Sequence, residues 1–171
     1  HAGTHSWLRN LYVKNADHAI ATGGGRYLSL VNIIFDQYSG RDKVTTELEG
    51  SVVGHMAINL NDSSNNLYHN ILLTDNWSHE FDEKSNSGNV ISSVRSEVGV
   101  IAYHGQGSVG NLYTDLEIGS NSATGMGNSV NQRQETYWNV YSRNGSLSTT
   151  DVEFPYNTVG EGNDHVFVGY G

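Results

Sequence analysis

The sequence predicts an all-β fold, a parallel β-helix (solenoid) with about 22–24 residues per coil and roughly seven coils, in one domain spanning residues 1–171. Three observations predict it. Gly is abundant at 20 residues, Pro occurs once, and short runs of Leu, Val, Ile and Tyr are separated by Gly, Asn, Ser and Asp, so many short strands joined by tight turns are expected. Six segments share one pattern, apolar residues on either side of a small polar one. Their central polar residues are Asn10, Asn32, Asn70, Ser93, Asp115 and Asn139. Apart from one longer interval, between Asn32 and Asn70, they recur at about the same period, a regularity that a β-sandwich does not require.

The first segment is "WLRNLYV" (Trp7 to Val13), and the second is "LSLVNIIF" (Leu28 to Phe35). A loop insertion at 37–53, "QYSGRDKVTTELEGSVV", accounts for the longer interval, which is one period plus about 16 residues. "NLYHNILL", "NVISSVRS", "NLYTDLEI" and "TYWNVYS" then follow at even spacing. Each coil carries about three short strands, and stacking the coils buries an apolar interior that no single coil could bury alone. Asn, Ser or Asp at one equivalent corner has a physical reason. A short polar side chain bonds its neighbour on the next coil, and Asn tolerates left-handed backbone geometry.

Counting back from each corner gives a second column. His18 stands as far before Asn32 as His79 stands before Ser93, and His55 stands one position further before Asn70. Three histidines about 5 Å apart, one per rung, are therefore expected on one face.

Charge restricts the partners. Asp and Glu number 18 against 9 Lys and Arg, a net charge of −9, which disfavours nucleic acid and an anionic membrane. A local basic cleft for an anionic polysaccharide stays open. No apolar run is long enough for a transmembrane helix. The first residues lack the basic-then-apolar pattern of a signal peptide, so the chain reads as a mature form or as a fragment of something longer. There is no Cys, so no disulfide contributes.

The stretch "NLYHNILLTDNWSHEFDEKSNSGNVISSVRSEVGVIAYHGQGSVGNLYTDL", with "ETYWNVYS" and the closing "NDHVFVGYG", resembles the right-handed parallel β-helix proteins of the pectate-lyase-like superfamily. It looks closest to secreted members thought to act on polysaccharides, over roughly Trp7 to Gly171. The resemblance implies a right-handed coil, an extracellular setting and a polysaccharide partner. It also implies site histidines at His79, in the "His79-Glu80-Phe81" position, and near His104.

The residues themselves supply candidates. In "SHEFDE", strand alternation puts His79, Phe81 and Glu83 on one face and Glu80 and Asp82 on the other. With Phe81 in the core, Glu80 and Asp82 are expected outward, about 7 Å apart, near the carboxylate separation of a glycosidase. A solvated face, a glycan or cation site, and catalysis are all readings of that pair. The histidine column is either a repeated structural position or a source of general bases and metal ligands; no metal ligands are assigned, and a divalent cation is the cofactor left open. Tyr103 and His104 form the candidate acid/base pair, with Arg95 or Lys84 facing a uronate carboxylate. Trp77, in an expected turn, is the best aromatic platform for a sugar; Tyr103, Tyr113, Tyr137 and Trp138 are others. His1 as a copper ligand is set aside as an accident of where the chain starts. Asn61-Asp62-Ser63, Asn76-Trp77-Ser78 and Asn144-Gly145-Ser146 are glycosylation triplets in expected turns.

The expected function is therefore a secreted carbohydrate-active protein, lyase-like or glycoside-hydrolase-like, with a groove lined by His55, His79, Glu80, Tyr103 and His104. Trp77, Asp82, Arg95 and Lys84 would assist binding. A non-catalytic glycan-binding protein is the alternative. A structural β-solenoid, assembling as a homo-oligomer by stacking of coils, is the second.

Overall fold

The computed structural model describes residues 3–36, 54–74, 77, 79–96, 101–103, 107–118, 134–142 and 166–168. The strands run in the order β1 (Trp7–Lys14), β2 (His18–Ala21), β3 (Ser29–Asp36), β4 (Met56–Asn59), β5 (Leu67–Leu73), β6 (His79–Glu83), β7 (Val90–Ser96), β8 (Ile101–Tyr103), β9 (Val109–Ile118), β10 (Gln134–Ser142) and β11 (Val166–Val168). Among the described residues there is no helix.

The strands form two parallel sheets. One has seven strands in the order β1-β3-β5-β7-β9-β10-β11, and the other has four in the order β2-β4-β6-β8. Isolated parallel bridges link Thr4, Arg26, Ser64, Ser87 and Val109 in a third column. A chain that returns to the same sheet once per coil, always parallel, is a β-solenoid, and the four-stranded sheet counts four turns of it. β3 and β5 pair directly, Ile33 opposite Ile71, although the longer interval separates their corners. The extra residues of that coil leave the rung register intact. The insertion expected at 37–53 itself lies outside the described residues.

The corners fall where the spacing places them. Asn10, Asn32, Asn70, Ser93 and Asp115 all have left-handed backbones, with φ between 53° and 57°. The strand register skips each of them: Arg9 pairs with Val31 and Leu11 with Ile33, for instance. Each long strand is thus split in two by one left-handed residue, giving the three straight segments per coil. The split also resets alternation, so inward positions run i, i+3, i+5. Leu30, Ile33 and Phe35 point in, as do Tyr68, Ile71 and Leu73 one rung further on, and all six are buried. Fully burying each such side chain is worth roughly 1.5–3 kcal/mol.

A second asparagine column lies inside. Asn66 and Asn89 immediately precede β5 and β7, Asn111 is the third residue of β9, and all three are buried. The Asn66 backbone N–H donates to Asn89 Oδ1 at 3.0 Å, and the Asn89 N–H donates to Asn111 Oδ1 at 2.9 Å. These amides satisfy backbone donors that the turn leaves unpaired in the interior. One residue earlier sits another left-handed column, with Asn65 at φ 56° and Gly88 at φ 64°. A Cβ on Gly88 would lie 2.7 Å from Asn65 Oδ1, so a side chain there must both displace that amide and accept the left-handed backbone, which glycine does without strain.

Coil 1 is exposed where its equivalents are not. Leu8 is 43% exposed and Leu11 37%, while their partners one rung on, Leu30 and Ile33, are 1% and 0%.

Candidate functional site

The histidine column forms on the four-stranded sheet. The His18 and His55 rings are 5.2 Å apart at 71°, and the His55 and His79 rings are 4.9 Å apart at 51°. The strand register aligns His18 with Met56 and Met56 with His79, so His55 lies one residue early; this matches its one extra position before the corner. Its carbonyl accepts the His79 N–H at 2.7 Å. His18 Nε2 is 3.4 Å from Asp17 Oδ2, both largely exposed. The three rings form a line, one per rung. Among the described residues no group of three His, Asp or Glu side chains is placed to hold a metal ion.

The carboxylates of β6 are not outward. Glu80 and Asp82 are each 1% exposed, as is Glu83. Glu80 accepts a hydrogen bond from the buried Ser96 hydroxyl. Asp82 Oδ2 accepts from Asn59 Nδ2 at 2.8 Å and Asn61 Nδ2 at 3.4 Å, and Glu83 Oε2 accepts from Asn111 Nδ2 at 3.4 Å. Both faces of β6 are covered, and neutral amides and a hydroxyl offset the desolvation of the acids. The expected outward pair is corrected to a buried, hydrogen-bonded one.

Trp77 is corrected likewise. It is 1% exposed and packs edge-on against Phe35, with ring centroids 6.0 Å apart at 85°. A large ring gains more from core burial than from solvent, and this one presents no face to a sugar. Tyr113 is also in the core, whereas Trp138 is exposed. Tyr103 takes its backbone place in β8 opposite Glu83; its side chain and all of His104 lie outside the described residues. Lys84 is exposed, and its carbonyl accepts the Asp62 N–H at 2.8 Å. Of the glycosylation triplets, only Asn61-Asp62-Ser63 is described throughout, and its Asn61 amide is engaged with Asp82. His1 lies outside the described residues, as do Asn76, Ser78 and the 144–146 triplet.

A groove of about 500 Å³ lies on the outer surface of the other, seven-stranded sheet. Of the expected site residues only Arg95 lines it. Its floor is the left-handed column Asn32, Asn70, Ser93 and Asp115. Asn32 Nδ2 donates to Asn10 Oδ1 at 3.0 Å, and Asn70 Nδ2 donates to Asn32 Oδ1 at 2.8 Å, so the exposed amides form a ladder along the solenoid. An amide offers two N–H donors and two lone pairs. Within the ladder Asn32 spends one of each, which leaves one donor and one acceptor for a ligand.

The wall is the outward residue two places after each corner. It is aliphatic at Ile34 and Leu72 and charged at Arg95 and Glu117. Arg95 grips Glu117 on the next rung, Nε to Oε2 at 2.8 Å and Nη2 to Oε1 at 3.5 Å. Tyr12, opposite Ile34 in coil 1, donates its hydroxyl to Asp36. Lys14 Nζ lies 3.0 Å from the same carboxylate, and Thr74 Oγ1 donates to it at 2.9 Å. These hydrogen bonds, Tyr12's first, lower the Asp36 carboxyl to about 2.

Most of this wall escapes a sequence reading confined to the corner residues. Its signal is the residue two places further on, where Tyr12, Ile34, Leu72, Arg95 and Glu117 recur at one offset. The inner amides Asn66, Asn89 and Asn111 head three of the quoted segments in the same way.

Comparison of the chain with protein-family models, with curated proteins and with solved structures finds no match in any of the three.

Proposed function

We propose that the chain is a carbohydrate-binding β-solenoid whose ligand lies in the outer groove along the asparagine ladder. One observation carries the reading: exposed amides with donor and acceptor capacity to spare stack on successive rungs at Asn10, Asn32 and Asn70, the last two lining the groove beside the aliphatic side chains of Ile34 and Leu72. Hydroxyls donate and accept at once, and sugar rings present C–H faces, so a saccharide matches both halves of the lining. The rung spacing of about 4.8 Å is close to the length of one pyranose unit in an extended chain. The binding role is preferred over catalysis because Glu80, the carboxylate expected to act, is buried against Ser96 away from this groove. The wider identification is part of the same proposal and rests on the sequence resemblance: a secreted, right-handed β-helix of the pectate-lyase-like superfamily with roughly seven coils.

The test is calorimetric titration of the wild type and Asn70→Gly with soluble polysaccharides, both neutral and uronate. Glycine keeps the left-handed corner without strain while removing one amide rung. Binding by the wild type that weakens at least tenfold in the variant is expected. Equal binding by both would remove the ladder from the site. New reducing ends or unsaturated products in the same mixtures would move the reading to a hydrolase or a lyase.

A further inference from the structure

The charges in the groove assign a ligand class, an inference that rests on the carbohydrate reading above and deepens it. Among the described residues the lining carries one positive side chain, Arg95, and two negative ones, Asp115 and Glu117. The Nε–Nη2 edge of the guanidinium, the fork that would hold a planar carboxylate side-on, is already occupied by Glu117. Arg95 is well exposed while Glu117 is mostly covered, so the carboxylate is the anchored partner and the guanidinium lies over it. A uronate entering the groove therefore meets a net negative lining and an Arg95 whose charge Glu117 already neutralises, with only the end-on edge of the guanidinium left to hold it. Hydroxyls meet no such cost, because the amide ladder takes either a donor or an acceptor.

We infer that the groove selects uncharged, extended glycans and rejects polyuronates, and that Glu117 sets this specificity by neutralising Arg95. Glu117 acts through Arg95 and is a positioning residue. Its neighbour Asp115 adds to the repulsion from the same strand.

Two oligosaccharide series test the inference by calorimetric titration: cello-oligosaccharides as the neutral probe and oligogalacturonides of equal length as the anionic one. The wild type is expected to bind the neutral series at least tenfold more tightly. Glu117→Gln removes the charge that neutralises the guanidinium, with little change of shape, and is expected to raise oligogalacturonide affinity at least tenfold relative to the neutral series. Glu117→Thr, a residue suited to a strand, makes the same test if the glutamine variant unfolds. The double variant Arg95→Gln with Glu117→Gln is expected to lose the gain, which separates a freed cation from a loss of repulsion alone.

Equal affinity of the wild type for both series would overturn the inference and leave the carbohydrate reading standing. So would folded single variants that gain nothing, or a double variant that keeps the gain. Silence of both series in every form would sink the carbohydrate reading and this inference together.

Discussion

Substitutions at Asn70 should reverse the usual order of alanine and glycine in a β-strand. In an ordinary strand interior, glycine is worse than alanine by roughly 0.5–1 kcal/mol, because it loses more freedom on folding. Asn70 sits within β5, yet its φ is 54°. An alanine there brings its Cβ too close to the following carbonyl oxygen, at a cost of about 1–2 kcal/mol. Both variants lose the bond to Asn32 Oδ1, worth about 0.5–1.5 kcal/mol, so that loss cancels in the comparison. The entropic penalty of glycine against the strain of alanine leaves Asn70→Gly more stable by about 0.5–1 kcal/mol. With a urea m-value of about 2 kcal/mol/M, its unfolding midpoint should lie roughly 0.25–0.5 M above that of Asn70→Ala. His69 is the control. It is the neighbouring residue and has no left-handed backbone; there alanine should exceed glycine. Alanine equal to or better than glycine at Asn70, with the ordinary order at His69, would refute the assignment of the corner to a left-handed conformation.

Two further outcomes follow from the interior and from acid titration. Asn89→Ala leaves the buried Asn66 N–H without its acceptor, so a loss of about 1–3 kcal/mol is expected in chemical denaturation, together with faster amide exchange at Asn66. Asp36 has a folded pKa of about 2 against 3.8 ordinarily. Its contribution is therefore complete above about 3.8 and is lost as pH falls towards 2. Because the carboxylate sits at the surface and pairs with the exposed Lys14, the effect is small and salt-sensitive. Asp36→Asn should flatten stability over that window and leave it unchanged in slope at neutral pH.

The sequence alone determined the rung. The recurring interval between Asn10, Asn32, Asn70, Ser93 and Asp115 marks the coils, and the small polar residue at each corner marks where the backbone turns left-handed. Both follow from local chemistry repeated at a fixed interval: short polar side chains tolerate the corner, and a period forces equivalent residues into one column. The stacked line of His18, His55 and His79 was legible for the same reason.

What each column faces was decided only by the tertiary structure. Alternation told that Glu80 and Asp82 share a face, but not that this face is covered, and hydrogen bonds from Ser96, Asn59 and Asn61 let the acids stay inside. Trp77 stands in a turn-like stretch, yet the ring of Phe35 from the preceding coil receives it. The groove on the seven-stranded sheet was not legible in the sequence because it needs side chains from several rungs at once. Asn32, Leu72, Arg95 and Glu117 are far apart in the chain and become neighbours only when the coils stack. A sequence period reports which residues align; the fold alone reports whether an aligned column meets solvent, a ligand or another layer of protein.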